Sequence, residues 1–181
     1  MQRLGSVMPE GIRLVRCLPA EKLTKTLAAH TVAAEYVIAI PVDPDSCGND
    51  GGETESRTEE VPVAGTAAVD RDPDADLSDP HSLWDSYMGM DEILVWKRQK
   101  KKAGPKLTDI WPMIREITFQ WAPEAGSLYV DAVLDGGSAS NLSPELVISS
   151  VCRRFGIETD RGEISVMRKK ILFDRPLEEL L

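Results

Sequence analysis

The sequence predicts a mainly β domain at the C-terminal end of the chain, preceded by a disordered acidic linker and a short N-terminal helix. Three observations support this arrangement. An alternating apolar pattern over residues 128–134 is typical of a strand. A capped helix pattern follows that strand, and the acidic residues are concentrated between residues 43 and 80. The predicted units are therefore residues 1–42, 43–82 and 83–181.

The charge of the chain is unevenly distributed. Its 181 residues include 30 acidic and 21 basic side chains, which gives a net charge of −9. Residues 43–80 contain 12 of the acidic residues and only two basic ones, Arg57 and Arg71, so the rest of the chain is close to neutral. The same stretch has no aromatic residue, and it buries too little apolar surface to offset about 1–2 kcal/mol of backbone entropy per residue. We therefore expect residues 43–82 to form a disordered linker.

The composition disfavours several classes of protein. The chain has three cysteines and two histidines, which are Cys17, Cys47, Cys152, His30 and His81. Because their spacing matches no known set of metal ligands, we expect no metal site, no cofactor and a reducing compartment. No window approaches the roughly 18 apolar residues of a membrane span, and the first residues lack the apolar core of a signal peptide. The sequence therefore predicts an intracellular protein, cytoplasmic or nuclear, with no membrane partner.

Local patterns predict the elements in the first part of the chain. Residues 19–36 have a weakly apolar face with a spacing of three and four, which predicts a helix. His30 lies alone on this face, so we expect it to pack rather than to bind a ligand. Residues 37–40 form a short β-prone run. Further along the chain, residues 93–96 and 114–119 are candidate strands.

The pattern after residue 126 is the most informative part of the sequence. The strand predicted over residues 128–134 is followed by Ser143 at a helix N-cap position and Pro144 at the first helical position. We expect the helix to end near Arg154, because Gly156 is a typical helix stop. Residues 164–167 predict one more strand.

The segment that joins this strand to this helix contains LDGGS at residues 134–138 and NLSPEL at residues 141–146. Strand, loop and capped helix in this order resemble the active-site loop of retropepsin-like aspartic proteases, most closely those encoded by LTR retrotransposons. The resemblance covers residues 128–157. It implies a partial retropepsin-like β-barrel, because only 46 residues follow Asp135.

The resemblance also implies a chemistry. Retropepsins hydrolyse peptide bonds with two aspartates that share a proton across a homodimer, since two carboxylates so close together cannot both ionise. Asp135 would be the catalytic residue of an aspartic endopeptidase, and Gly136, Gly137 and Ser138 would form its active-site loop. The implied partners are a peptide or polyprotein substrate and a second copy of the chain.

Two alternative functions stay open. One is a catalytically silent module that dimerises or binds a partner, with the acidic linker as a tether. The other is a nucleic-acid-binding protein, because a basic run follows the candidate strand at residues 93–96. Such a run is also typical of a solvated loop. The basic residues are Lys97, Arg98, Lys100, Lys101 and Lys102.

Overall fold

The computed structural model describes residues 7–13, 26–42, 64–98 and 104–180. The strands are β1 (Thr31–Pro41), β2 (Leu94–Arg98), β3 (Pro105–Asp109), β4 (Ile114–Ala122), β5 (Ser127–Asp135) and β6 (Ser165–Phe173). The helices are α1 (Leu27–His30), α2 (Pro80–Met88), α3 (Pro144–Phe155) and α4 (Leu177–Leu180). A short 3₁₀ turn over Trp111–Met113 precedes β4, and another over Pro123–Ala125 follows it.

Four strands form one open antiparallel sheet in the order β4-β5-β1-β6. The strand β1 pairs with both β5 and β6, while β4 pairs only with β5. Helix α2 lies between β1 and β4 in the chain, and α3 lies between β5 and β6. A βαββαβ chain with this strand order has the ferredoxin-like topology. The hairpin of β2 and β3 is an insertion between α2 and β4.

The core lies between one face of the sheet and the two longer helices. Alternate residues of the central strands are fully buried, among them Ile38 and Ile40 on β1 and Leu128 and Val130 on β5. The opposite face carries polar side chains such as Glu116 and Asp131, both of which are exposed. Because the period of a strand is two, this alternation alone decides which face of the sheet the helices cover.

Aromatic side chains connect the two helices to the sheet. Tyr87 on α2, Phe119 on β4 and Phe155 on α3 form a cluster with ring centroids 5.6 to 6.3 Å apart. The hydroxyl of Tyr87 is fully buried and lies 2.6 Å from Oγ of Ser150 on α3. Ser150 in turn donates to the carbonyl oxygen of Val147 at 2.9 Å. Burial raises the pKa of Tyr87, so its hydroxyl stays protonated and acts as a donor.

The N-terminal part of the chain differs from the expected separate helical segment. Among the described residues that precede the sheet, Leu27–His30 is helical, and Thr31–Pro41 is a strand in the middle of the sheet. The helix predicted as far as residue 36 is therefore wrong from residue 31 onward, while its earlier part lies mostly outside the described residues. Pairing with two neighbouring strands outweighs a weak helical pattern, because local propensity is only a weak prior.

The predicted linker also differs in its second half. Residues 43–63 lie outside the described residues, but residues 64–82 pack against the domain. Ala67 and Val69 are buried in the core, and Ala67 forms a β-bridge with Val95. A domain boundary at residue 83 therefore does not separate linker from fold. Ala75 and Leu77 also pack against the core, and α3 forms hydrogen bonds with the backbone of this segment.

The C-terminal elements agree more closely with the predictions. The strand over residues 128–134 and the helix after Ser143 are confirmed, with Gly156 in the left-handed conformation at the helix end. The strand expected at residues 164–167 extends to Phe173. The mainly β class is confirmed, but the sheet is open at β4 and β6, so a retropepsin-like barrel is not confirmed. Among the described residues, no helix has the length and apolar character needed to span a bilayer.

The buried hydroxyl pair predicts an asymmetry between two substitutions. Ser150→Ala leaves the Tyr87 hydroxyl buried without a partner, which should cost about 1–3 kcal/mol of unfolding free energy. Tyr87→Phe should cost less, because Ser150 keeps its bond to the Val147 carbonyl. Urea denaturation of the two single variants and the double variant measures both costs. Equal single costs that simply add in the double variant would contradict the interaction.

Candidate functional site

Asp135 is the last residue of β5, where the strand enters the loop before α3. Its Oδ1 accepts a hydrogen bond from Nε of Arg115 at 2.7 Å, and the hydroxyl of Ser140 donates to the same carboxylate. Burial raises the pKa of Asp135, but the bonds from Ser140 and Arg115 and the charge of Arg115 outweigh it, so the pKa lies below its usual value. The carboxylate therefore remains ionised at mildly acidic pH instead of sharing a proton.

Arg115 reaches Asp135 because of a β-bulge. The pairing of β4 with β5 shifts register between Ile114 and Glu116, which makes Arg115 the extra residue. Its Nη2 also donates to the carbonyl oxygen of Val32 on β1 at 3.1 Å. The guanidinium and the carboxylate thus satisfy each other and join β4, β5 and β1 at one end of the sheet.

The glycine loop after Asp135 packs tightly on the start of β1. Gly136 donates its N–H to the carbonyl oxygen of Val32 at 3.1 Å. A Cβ atom on Gly137 would lie 2.8 Å from the carbonyl oxygen of Thr31, which no side chain tolerates without movement of the backbone. Glycine is thus needed at position 137 because the loop after Asp135 lies directly against the start of β1. The exposed Ser138 borders a small cavity of about 210 Å³ beside this loop.

The basic run is only partly described. Lys97 and Arg98 end strand β2, and Nζ of Lys97 donates to the carbonyl oxygen of Asn141 at 2.9 Å. Lys97 therefore ties the hairpin to the loop before α3. Residues 100–102, which carry the three consecutive lysines, lie outside the described residues.

His30 is buried, as its position on an apolar face predicted. Its Nδ1 lies 3.1 Å from Oδ2 of Asp174, and its carbonyl oxygen accepts from the backbone N–H of Asp174 at 2.9 Å. The hydrogen bond from His30 is the main cause that lowers the pKa of Asp174. This pair fastens the end of β6 to the start of β1. Within the described ranges, no group of His, Cys, Asp and Glu side chains is arranged to hold a metal ion.

A second candidate site, which the sequence did not predict, lies along α3. Residues 66–72 run beside the helix and are fastened to it by hydrogen bonds. The backbone N–H of Ala67 donates to Oγ of Ser149 at 3.0 Å, and Nε of Arg153 donates to the carbonyl oxygen of Val69 at 3.0 Å. This segment and α3 together form the walls of a cleft.

Arg154 holds the far end of the same segment. Its guanidinium donates to the carbonyl oxygen of Asp70 at 3.1 Å, to Oδ2 of Asp72 at 3.0 Å and to the carbonyl oxygen of Ser86 at 3.1 Å. The hydroxyl of Ser86 also donates to Asp72 and is the main cause that lowers the pKa of this carboxyl, with smaller contributions from the Asp74 N–H and Arg154. Arg154 thus connects α3 with α2 and with the backbone on both sides of Arg71.

Arg71 differs from the arginines on α3 because it has no partner of this kind. Its guanidinium donates no hydrogen bond and forms no ion pair with any residue in the described part of the chain. It lies against Gly156, where a Cβ atom would be no more than 2.9 Å from its Nε, Cζ and Nη2 atoms. The guanidinium of this exposed residue thus packs on the end of α3 with its donors available.

Arg71 borders two neighbouring cavities. The larger, of about 560 Å³, also contacts Thr66, Ser149 and Arg153, so it presents hydroxyl and guanidinium donors. The smaller, of about 360 Å³, is lined on its apolar side by Trp121 and Phe155. Both volumes fall within the range of about 300–1,000 Å³ that is usual for small-molecule sites. The cleft therefore has the size and the chemistry of a ligand site.

Cys152 is the one nucleophilic thiol in the wall of the larger cavity. Burial raises its pKa to about 11, so the side chain is a neutral thiol at physiological pH. Since the thiolate is the reactive form, this cysteine is a poor nucleophile. The wall of the larger cavity is thus suited to binding rather than to covalent chemistry.

The fold and the cleft define a mainly β protein of ferredoxin-like topology that carries a ligand-sized cleft beside α3. The chain belongs to the family described as "Uncharacterized protein conserved in bacteria (DUF2344)", whose model matches residues 1–144. No curated protein and no solved structure matches the chain.

Membership of this family overturns the retropepsin interpretation. The resemblance to an LTR-retrotransposon protease was wrong, and with it the assignment of an aspartic-protease function. The alternative functions, a silent dimerisation module and a basic-patch nucleic-acid-binding protein, are likewise unsupported by the family. Asp135, Gly136 and Gly137 are instead accounted for by an ion pair and by close backbone packing. A strand that passes through a glycine loop into a capped helix is thus not specific to aspartic proteases.

The ion pair of Asp135 predicts a particular response to acid. Its pKa in the fold is below the value of about 3.9 for an unfolded aspartate, so its contribution to stability is complete above about pH 4 and lost as the pH falls through the folded value. Asp135→Asn should lower the unfolding free energy by about 1–3 kcal/mol at pH 7. Because the wild type loses this contribution in acid, the two proteins should converge in stability as the pH falls through the folded pKa.

Urea denaturation between pH 7 and pH 2 measures this convergence. Asp131→Asn is the control, because Asp131 is half-exposed and lies 3.8 Å from its partner Lys169. Such a surface pair contributes about 0.2–1 kcal/mol. A constant difference between Asp135→Asn and the wild type at all pH values would rule out the ion pair as its cause.

Proposed function

We propose that this protein binds a small anionic molecule, with a phosphate or carboxylate group, in the cleft between residues 66–72 and α3. The observation that carries the proposal is Arg71: Arg154 fixes the backbone on both sides of it, and its guanidinium packs on Gly156 and has no partner among the described residues. Guanidinium groups bind phosphate and carboxylate oxygens through two parallel N–H donors.

The other groups of the larger cavity support this ligand class. Arg153 uses its Nε for the Val69 carbonyl, and its Nη atoms donate to no residue in the described ranges. Ser149 accepts a bond at its Oγ and therefore keeps its own proton for a ligand. Two guanidinium groups and a hydroxyl thus line one cavity and can donate to an oxyanion, while Asp70 and Glu158 in the same wall are acceptors.

The Asp135 site is a weaker candidate for the same role. There, Arg115 is already neutralised by a carboxylate at 2.7 Å, so an anion would have to displace Asp135 from it. Arg71 requires no such exchange. Hydrogen bonds to a charged group contribute about 1.5–3 kcal/mol, and this difference favours the cleft beside α3.

Substitution of Arg71 tests the proposal. In the full chain labelled with ¹⁵N, titration with inorganic phosphate, sulfate or acetate should shift the resonances of the Arg71 Nε–H and the Gly156 N–H. Arg71→Gln should weaken the binding by about tenfold or more, the ratio that corresponds to 1.4 kcal/mol. Arg168→Gln is the matched control, because Arg168 is exposed on β6 and does not line the cleft.

A glycine pair provides a second arm of this test. Gly156 and Gly126 both have a left-handed φ, of 63° and 55°, so alanine is strained at either position. Only at Gly156 would the added methyl group also displace Arg71. Gly156→Ala should therefore weaken anion binding while Gly126→Ala does not. No binding by the wild type, or equal binding by Arg71→Gln and Arg168→Gln, would overturn the proposed function.

A further inference from the structure

We infer that the anionic molecule also carries a flat aromatic ring, as a nucleoside monophosphate does, and that the ring enters the cavity on the other side of Arg71. This inference rests on the proposed function, since the same guanidinium would hold the anionic group. The juxtaposition that carries it is Arg71, which has no partner among the described residues, between two cavities, of which the smaller has Trp121 and Phe155 in its wall.

The smaller cavity is suited to an apolar ring. Trp121 comes from the end of β4 and Phe155 from the end of α3, and Leu77 and Val42 complete the apolar side. All four pack against the hydrophobic core, so their positions are determined by the fold before any ligand binds. Asp72, Asp76 and Ser78 form the polar side of the same cavity. A ring placed against the apolar side would remove apolar surface from water, which is favourable.

Arg71 can serve both parts of such a ligand. A guanidinium is planar: its edge donates hydrogen bonds to an oxyanion, and its face stacks on an aromatic ring. Its contact with Gly156 places the guanidinium at the boundary between the cavities. The anionic group and the ring of one molecule would therefore meet at this residue.

Two carboxylates in the larger cavity favour a ligand that also carries hydroxyl groups. Asp70 and Glu158 line the cavity together with Arg71 and Arg153, and both acids are exposed. Alone they would oppose a simple anion, since like charges repel. As acceptors they match the hydroxyls of a sugar that lies between a phosphate and a ring. A nucleoside monophosphate combines these three chemical features in one molecule.

Four probes separate the contributions of the phosphate, the sugar and the ring to binding. They are inorganic phosphate, ribose 5-phosphate, adenosine and AMP. UMP is added as a pyrimidine comparison. Isothermal titration calorimetry of the full chain should show that AMP binds at least about tenfold more tightly than ribose 5-phosphate, the ratio that 1.4 kcal/mol of ring stacking gives. Arg71→Gln should weaken both ligands to a similar degree.

Substitutions in the wall of the smaller cavity should weaken the binding only of ligands that have a ring. Trp121→Leu should reduce AMP binding to the level of ribose 5-phosphate and leave ribose 5-phosphate unchanged. Trp84→Leu is the control, since Trp84 is exposed on α2 and lines neither cavity. Because Trp121 also packs on the core, Leu77→Ala is a second variant, and thermal unfolding verifies that each protein is folded.

The outcomes distinguish the two proposals. The inference of an aromatic ring is wrong if ribose 5-phosphate binds through Arg71 but AMP binds no more tightly. It is also wrong if Trp121→Leu and Leu77→Ala leave AMP binding unchanged. In both cases the proposed anion site is retained. If adenosine binds as tightly as AMP and Arg71→Gln has no effect, the anion site is wrong. If no phosphate-bearing probe binds, both are overturned.

Discussion

Arg154 makes the interaction on which the cleft of this protein depends. From the last turn of α3 it bonds to α2 through Ser86 and to the backbone and side chain around residues 70–72, while its own carbonyl oxygen accepts from the N–H of Asp72. These bonds lie at the helix C-terminus, where a cation also complements the helix dipole. The chain segment that passes Arg154 is thereby fixed in place, and Arg71, in the middle of that segment, is held between two cavities.

The arginines at the end of the sheet and beside α3 have different roles: some form ion pairs that stabilise the fold, and Arg71 is available to bind a ligand. At the end of the sheet, Arg115 and Asp135 neutralise each other and bring β4, β5 and β1 together. Beside α3, Arg154 neutralises Asp72, but Arg71 donates to no residue in the described ranges. A guanidinium that is already paired with a carboxylate gains little from an anionic ligand. Arg71 is therefore the better candidate of the two for binding one.

The ferredoxin-like arrangement explains why the cleft lies on the helical side. The split βαβ order places β1 at the centre of the sheet and both long helices on one face, so the aromatic cluster of Tyr87, Phe119 and Phe155 fills the space between them. Phe155 of this cluster and Trp121 at the end of β4 form part of the wall of the smaller cavity. The apolar part of the cleft is therefore an extension of the core.

The sequence by itself determined the elements whose signals are local. The alternation of β5, the Ser143 cap and the Gly156 stop of α3 were predictable, because each depends on a few neighbouring residues. Only the tertiary structure decided that residues 31–41 form a central strand, that residues 64–82 pack on the domain, and that the glycine loop after Asp135 serves close packing. Arg71, a rare basic residue in an acidic stretch, was visible in the sequence, but Gly156, on which its guanidinium packs, is about 85 residues away along the chain. Contacts at such separations come from the packing of whole elements, which composition and periodicity do not encode.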